Sequence, residues 1–160
     1  MKRLAFWMVL TVISGLLSSC LINEEQSTPV MKPISYLYRT SAAGVRDSIR
    51  YGDTIHVGDT LQGSWVLYCV TNNLTSFTFK TDTFAFDYHL VCDSAYAHLL
   101  TEKSKPEEGK LFFVSGCVFY PVDIYFVAKQ KGDYPLSLSL ASDAGEKYSP
   151  QMFSYTQAIR

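Results

Sequence analysis

The sequence predicts an all-β protein built as an antiparallel β-sandwich. Beyond Pro33, apolar and polar residues alternate with a period of two, as they do in strands that bury one face. The alternating stretches are rich in Val, Ile, Phe, Tyr and Thr, and turn-forming residues separate them at short intervals. A series of short strands of this kind favours a sandwich or a barrel over a helical fold.

The first twenty residues have the features of a secretory signal. Two basic residues precede an apolar run over residues 4–17, which is followed by Ser18-Ser19-Cys20. A cationic start, an apolar centre and small residues at a processing point are the three parts of a signal peptide, so we expect residues 1–19 to be removed. The alternative is an uncleaved anchor helix, because residues 4–22 approach the roughly 20 apolar residues that a bilayer requires.

The cysteine that ends this segment indicates how the protein is anchored. Leu17-Ser18-Ser19-Cys20 resembles the bacterial lipobox, in which an aliphatic residue and two small ones precede the cysteine that receives a lipid. The resemblance implies that Cys20 becomes the mature N-terminus and holds the protein to the membrane through a diacylglyceryl group. Residues 20–33 are polar and include two prolines, so we expect a flexible tether that leads to a domain over residues 34–160.

The residues after the cysteine bear on which membrane is used. Leu21 stands where the familiar inner-membrane retention signal has aspartate. Glu24-Glu25 resembles the acidic pair that follows the lipidated cysteine in surface-exported lipoproteins of Bacteroidota. These two features predict a lipid-anchored protein of the outer membrane, either at the cell surface or on the periplasmic face.

Ten strands are predicted from the alternation and the turn residues. Their ranges are 34–40, 45–51, 54–57, 60–70, 74–81, 84–92, 110–120, 122–129, 136–141 and 152–159. In the strand over 136–141, three leucines alternate with serines, which predicts one buried and one exposed face. The residues from Trp65 to Val70 are apolar on both faces, which predicts a central strand that is covered on each side.

The strand over 84–92 carries the only pair of residues suited to metal or acid–base chemistry. Phe84, Phe86, Tyr88 and Leu90 share one face, which should point to the core, while Asp87 and His89 share the other. A carboxylate and an imidazole on one face are a weak candidate for a metal or acid–base site. No third ligand is identifiable nearby in sequence, so an ordinary solvated face is the simpler interpretation.

A short helix and a repeated turn motif interrupt the strands. Asp93 or Ser94 can cap one or two turns that place Tyr96, Leu99 and Leu100 on one side, across an open end of the sandwich. Gly-Asp-Thr occurs twice, at 52–54 and 58–60, and Gly-Asp is typical of tight turns. Calcium binding by Asp53 and Asp59 is a poor alternative, since a calcium site requires about six oxygen ligands.

Three cysteines remain if Cys20 is lipidated. Cys69, Cys92 and Cys117 each lie in an apolar run, which favours buried free thiols. In an oxidising compartment one disulfide is the alternative, and Cys69–Cys117 is the preferred pair because both lie in strands that could be neighbours. None of the spacings resembles a zinc site.

Motifs for catalysis or cofactor binding are absent from the sequence. It contains no Gly-x-Ser-x-Gly, His-Glu-x-x-His, phosphate-binding glycine loop or Cys-x-x-Cys, so we expect no catalytic residues, no cofactor and no dedicated metal site. Ser115-Gly116-Cys117 lies in an apolar strand, where burial is the simpler account, and His56 and His98 are isolated. The net charge of −1 falls to −3 with the leader removed, which argues against nucleic-acid binding.

The excess of aromatic residues is the remaining signal of function. The chain has 11 Tyr, 10 Phe and 2 Trp. Tyr36 and Tyr38, or Tyr125 and Tyr134, should lie on outward faces or rims, where a ring can stack on a sugar or anchor a partner protein. The alternative is that these rings only pack on pleated surfaces, as they do in many β-sandwiches.

The chain resembles the small lipoproteins of Bacteroidota that carry one immunoglobulin-like β-sandwich. The lipobox, Glu24-Glu25 and the segments 53–61, 93–94 and 131–144 carry the resemblance. It implies a location and an immunoglobulin-like fold, but no activity. Trp65 precedes Cys69 instead of following it on the next strand, so the disulfide and packed tryptophan of antibody domains are not expected.

Three functions are compatible with these features. The first is a non-enzymatic envelope lipoprotein that binds a protein partner or a glycan, or serves as an accessory subunit. The second is a small metal-dependent enzyme centred on Asp87 and His89. The third is a structural subunit that exchanges its last strand, 152–159, with a neighbour, because a terminal strand at a sheet edge can pair with another chain.

Overall fold

The computed structural model describes residues 27–160, which form two antiparallel sheets packed face to face. The first sheet contains β1 (Val30–Pro33), β2 (Leu37–Thr40), β3 (Arg46–Ile49), β4 (Thr60–Tyr68), β6 (Phe86–Val91) and β8 (Phe119–Ala128). The second contains β5 (Leu74–Lys80), β7 (Lys110–Phe112), β9 (Gly132–Ser142) and β10 (Gln151–Ile159). The predicted antiparallel, immunoglobulin-like sandwich is confirmed.

The order of the strands explains how the two sheets enclose one core. The first sheet runs β3-β2-β4-β8-β6, with β1 also paired to β4, and the second runs β10-β9-β5-β7. Strict alternation along β4 and β8 buries every second residue, including Trp65, Tyr120 and Phe126. The second sheet supplies Phe77, Phe79 and the three predicted leucines of β9 from the other side. Each of these large side chains contributes roughly 1.5–3 kcal/mol by leaving water.

The domain begins earlier than predicted. Residues assigned to the tether form β1, in which Val30 pairs with Tyr68 and Pro33 with Trp65. The nine-residue β4 is long enough to hold two strands end to end along one edge, because β2 pairs only with its first three residues, Thr60–Gln62. Pro33 is tolerated at the end of β1 because this strand is short and lies at the edge of the sheet. Residues 1–26, with the leader, Cys20 and half of the predicted tether, lie outside the described residues.

Other predicted strands are shorter or broken. The stretch 110–120 divides into β7 and the start of β8, which lie in different sheets, and a turn at Gly116 (φ +87°) separates them. Residues 54–57 form no strand, and only Ile55 makes an isolated bridge to Ile159. Phe84 was assigned to the core but lies in the turn before β6 and is 81% exposed.

The helix prediction is confirmed in position, although the segment is a 3-10 helix, Ser94–Leu99. The Asp93 side chain accepts a hydrogen bond from the Ala95 N–H at 2.9 Å, as a capping residue does. Tyr96, Leu99 and Leu100 pack against the core, as their spacing predicts. A second 3-10 helix, Pro106–Glu108, was not predicted.

The prediction that β4 is covered on both faces was wrong. Its inner residues are buried, whereas the outer residues Val66 and Tyr68 are only partly buried. No second layer lies over that outer face within residues 27–160, because the described helices are short and sit at the ends of the strands. The outer face of the first sheet is therefore a surface with apolar residues on it.

Candidate functional site

A groove opens where the chain passes from β1 to β2. Its volume is about 360 Å³, and the residues that line it are Pro33, Ile34, Ser35, Tyr36, Arg50 and Tyr51. We call it the tyrosine groove. Concave sites with apolar walls and a few polar groups are the usual binding sites of proteins, which makes this groove the candidate functional site.

The arrangement of β1 and β2 along β4 produces this groove. Because both strands pair with the same edge of β4, the chain between them must bridge a gap alongside the middle of that strand. The Ile34 N–H donates to the Ser64 carbonyl at 2.8 Å, which fixes the bridge to the sheet. The side chains of Ile34 and Tyr36 remain 60% and 64% exposed. The backbone therefore holds two large apolar side chains in solvent on a rigid support.

A cluster of packed rings lies beneath the groove. The Tyr51 ring lies 5.4 Å from Trp65 and 5.5 Å from Tyr155, centroid to centroid, and Trp65 lies 5.3 Å from Phe153. Gly63 makes room for these rings, since a Cβ there would lie 3.3 Å from both the Tyr51 hydroxyl and the Trp65 ring nitrogen. This aromatic cluster connects the groove directly to the core.

The Tyr51 hydroxyl is the buried polar group of the groove. Burial raises the pKa of Tyr51 to about 12, because the phenolate would lose its hydration. The hydroxyl has no hydrogen-bond partner among the described residues. At neutral pH it therefore remains a protonated phenol, able to donate one hydrogen bond.

The guanidinium of Arg50 provides the positive charge of the groove. The Arg50 backbone N–H donates to Asp53 at 2.8 Å, which closes the turn after β3. The Arg50 side chain makes no ion pair with any residue of the 27–160 segment. It is exposed next to the groove and can contact a carbonyl or carboxylate of a bound molecule.

The other tyrosines singled out by the sequence occupy two kinds of position. Tyr38 and Tyr125 lie on the outer face of the first sheet, each opposite Gln62 in the register. Arg46 covers the Tyr38 ring at 5.1 Å. Tyr134 is not on a rim, because its ring packs against Phe86 and its hydroxyl donates to a backbone carbonyl. Tyr36 is therefore the predicted tyrosine that presents the most free ring surface.

Asp87 and His89 lie on the outer face of β6, as predicted, and each already has a partner. The Asp87 carboxylate pairs with the Lys129 ammonium at 2.7 Å. The His89 ring stacks on Tyr125 with centroids 5.5 Å apart and planes 6° apart. Between residues 27 and 160 no three potential metal ligands come together. The structure thus adds no third ligand to this weak candidate, and the metal-dependent alternative stays a prediction.

The three cysteines of the domain are free thiols in the structure. Cys69 and Cys117 lie at the same end of the β4–β8 ladder, where the Cys69 N–H donates to the Val118 carbonyl at 3.0 Å. Burial raises the pKa of Cys92 and of Cys117, which makes both thiols poor nucleophiles. The proposed Cys69–Cys117 disulfide is not formed here, and pairing under oxidising conditions stays a prediction.

The two Gly-Asp-Thr motifs have structural roles. Asp59 is 2% exposed, accepts the His56 N–H at 2.9 Å and lies 3.9 Å from the Arg39 guanidinium. Arg39 also forms a bidentate pair with Asp47, which raises the pKa of Arg39. Asp53 closes the preceding turn. The two carboxylates therefore fix loops in place.

Sequence reasoning found Tyr36 but missed the rest of the groove. Ile34, Arg50 and Tyr51 carry no local signal, because their proximity depends on the pairing of β1 with β4. The only hint is Pro33, which stands between two alternating stretches. No helix within the described part of the chain is both long and apolar enough to cross a membrane.

Comparisons with known proteins support the fold alone. No family model matches the chain, and no curated protein matches it. A family 123 glycoside hydrolase from Clostridium perfringens is similar at a TM-score of 0.50 and 10% identity, over 83% of this chain and 27% of that one. The C-terminal domain of the antigen I/II-family protein AspA from Streptococcus pyogenes has a TM-score of 0.46 and 16% identity, over 78% and 46%.

A DUF4466 family protein from Parabacteroides merdae is similar at a TM-score of 0.44 and 11% identity, over 81% of this chain and 42% of that one. The chain spans less than half the length of each of these three proteins. Two-sheet β domains of this kind support many unrelated functions. The function must therefore be argued from the groove and the surface.

Proposed function

We propose that the protein is a lipid-anchored, non-enzymatic binding module of the bacterial outer membrane that holds a protein partner in the tyrosine groove. The observation that carries the proposal is the exposure of Tyr36 and Ile34 on a rigid support next to Arg50. Tyrosine and arginine are the residue types that most often dominate the energy of protein interfaces. Because the Ile34 N–H fixes the backbone of this segment to β4, less backbone entropy is lost there when a partner binds.

The chemistry of the groove favours a protein partner over a glycan. Pro33 and Ile34 form an apolar wall, which suits an aliphatic or aromatic side chain. Binding of a sugar requires several free hydrogen-bonding groups, yet the Ser35 hydroxyl already donates to the Tyr36 carbonyl at 3.0 Å. The Tyr51 hydroxyl is buried beneath the groove, which leaves the exposed Arg50 guanidinium to contact the carbonyls of a peptide backbone.

The proposed location depends on the leader and on Cys20. The cationic start, the apolar run and the lipobox-like Leu17-Ser18-Ser19-Cys20 support acylation after processing. Leu21 and the Glu24-Glu25 pair support the outer membrane. A display module fits this location, because its lipid keeps the groove within reach of other envelope proteins.

Crosslinking in native envelopes tests the proposal. A photo-crosslinking residue placed at Tyr36 should capture a discrete envelope protein, and Tyr36→Ala combined with Ile34→Ala should abolish recovery of the same protein in a pull-down. Phe84→Ala is the matched control, because Phe84 is an exposed aromatic residue in a turn away from the groove. Loss of the partner in the control variant as well would contradict the role of the groove. Recovery of a glycan on an array, with no captured protein, would replace the protein partner with a sugar.

Assembly by strand exchange is the second candidate, and the position of β10 favours it. This strand forms the edge of the second sheet, as its position in the sequence suggested. Residues 55–57 cover its C-terminal part, where Ile55 bridges Ile159, and leave Gln151–Tyr155 paired on one side. Light scattering should show concentration-dependent polymers if this edge is used. A strictly monomeric protein would exclude the exchange.

A further inference from the structure

We propose that one end of the sandwich docks on the membrane–water interface through an uncharged apolar patch next to the point where the tether enters. The patch consists of exposed or half-exposed residues at the junction of β1, β4 and β8. These residues are Val30, Val66, Tyr68, Val70, Val118, Phe119 and Pro121. We call it the anchor-end patch. The proposal rests on the lipid anchor at Cys20 that is proposed above.

Strand pairing brings the residues of this patch together. Tyr68 is opposite Phe119 at the end of the β4–β8 ladder, and the next step is the hydrogen bond from the Cys69 N–H to Val118. Val70, Val118 and Phe119 are 62%, 49% and 40% exposed. Three apolar side chains thus project from adjacent positions at one end of the molecule.

The patch continues along the outer face of the first sheet. Val30 is opposite Tyr68, and Val66 is opposite Pro121, on the face that no other layer covers in the described residues. The same face becomes polar at Asp123 and His89, and on β1 at Lys32, which is opposite Val66. The apolar part is therefore confined to the end at which β1 begins.

Two loops at this end carry no formal charge, whereas the neighbouring loop over 143–150, whose Asp143 carboxylate accepts the Asn73 N–H at 2.8 Å, includes Asp143, Glu146 and Lys147. Residues 69–73 and 114–119 contain no Asp, Glu, Lys or Arg. The opposite end of the sandwich carries Lys129, Lys131 and Arg46. An uncharged, aromatic-containing patch suits the boundary between headgroups and acyl chains, where tyrosine and other amphipathic rings are enriched.

The position of the tether favours the bilayer as the surface that the patch contacts. The chain enters the domain at this same end, where the Ser27 carbonyl accepts hydrogen bonds from the Cys69 thiol and, at 3.3 Å, from the Asn72 amide. Only six residues lie between Cys20 and Ser27, so the lipidated residue is at most about 25 Å from this point. Acyl chains attached to Cys20 would keep the patch next to the membrane at a high local concentration.

Hydrogen exchange of the acylated protein in phosphatidylcholine vesicles tests the proposal. The amides of residues 70–72 and 115–118 should exchange several-fold more slowly in the wild type than in a Val70→Asp, Val118→Asp double variant, after correction for intrinsic rates. Val45→Asp is the matched control, because Val45 is 64% exposed in the turn at the opposite end. In this control variant the amides of the two loops should exchange as slowly as they do in the wild type. Both loops should behave alike with and without anionic lipid, since the loops contain no basic residue.

The outcomes separate this inference from the proposed function. If the protein fails to float with the vesicles, the lipid anchor is wrong and the docking fails with it. If it floats but the two loops exchange as fast as in the double variant, only the docking is wrong. If the slow exchange of the loop amides disappears when the protein is diluted with excess lipid, the patch contacts a second copy of the chain. If the slow exchange is found only in native envelopes, the patch contacts another envelope protein. Either result would overturn the proposal.

Discussion

The two ends of the sandwich share one core but differ in their loops. At the end where β1 begins, the loops over 69–73 and 114–119 are uncharged and expose valine and phenylalanine, and the charged loop over 143–150 lies beside them. At the other end, charged residues form pairs, among them Arg39 with Asp47, Lys129 with Asp87 and Arg160 with Asp133. This difference supports the proposal that the end where β1 begins faces lipid and the other end faces water, with the tyrosine groove between them.

The largest effect is expected from removing the core residue beneath the groove. Trp65→Ala should lower the free energy of unfolding by about 3–5 kcal/mol, because it empties the centre of the aromatic cluster. Val66→Ala on the same strand is the control, since its side chain lies on the half-exposed outer face, and its loss should be much smaller. Urea denaturation measures both. Equal losses would show that the two faces of β4 are buried alike.

The next largest effect separates the two Gly-Asp-Thr motifs. Asp59→Ala should cost about 1–3 kcal/mol, because it leaves the His56 N–H without its acceptor and removes a buried partner of Arg39. Asp53→Ala removes an exposed turn contact and should cost less. Thermal unfolding of the two variants checks the difference. A larger loss for Asp53→Ala would contradict the structural role assigned to Asp59.

The fold was predictable because alternation and turn residues are local signals. The cores of β4, β5 and β9, the cap at Asp93 and the terminal edge strand all follow from neighbouring residues. The sequence predicts a tether where β1 lies, because the four residues of β1 contain no local sign of their long-range pairing with β4. The break between β7 and β8 was missed for a similar reason, because a switch between sheets can retain an apolar alternation.

Alkaline pH should weaken the two ends alike, because the affected tyrosines belong to the shared core. Burial raises the pKa of Tyr51 to about 12, and it also raises the pKa of Tyr120 and Tyr155. An unfolded tyrosine ionises near pH 10, so this stabilisation is complete below pH 10 and is lost as the pH rises through the folded value. For Tyr51 the loss amounts to at most about 2 kcal/mol after allowance for screening by solvent.

Tyr51→Phe measures the contribution of this one residue. Between pH 10 and pH 12 the free energy of unfolding should fall less for the variant than for the wild type, as measured by urea denaturation at each pH. At pH 7 it should be at least as stable, because it removes a hydroxyl that has no partner among the described residues. A steeper loss in the variant would contradict the assignment of a raised pKa to Tyr51.

The smallest effect concerns the end that carries Lys129. Asp87→Asn breaks an exposed ion pair with Lys129 and should cost no more than about 1 kcal/mol, less in high salt. Metal analysis of the purified wild type and of this variant should give the same result for both. Stoichiometric metal in the wild type that disappears with Asp87 would instead establish the metal-dependent alternative centred on Asp87 and His89.

The candidate site was less predictable than the fold. Tyr36 was recognisable as an exposed tyrosine, but Arg50 and Tyr51 reach the groove only because β1 and β2 share one edge of β4. Exposure of Val70, Val118 and Phe119 was equally hidden, since an apolar run predicts burial. Contacts between distant strands determine which faces remain uncovered, and composition does not contain that information.

The mass of the mature protein tests the account most directly. Protein extracted from membranes with detergent should lack residues 1–19 and carry acyl chains on Cys20, and it should partition into the detergent phase. Cys20→Ala should retain its leader and carry no acyl chain. An unmodified wild type that retains residues 1–19 would contradict the lipid anchor, and with it the orientation assigned to the two ends.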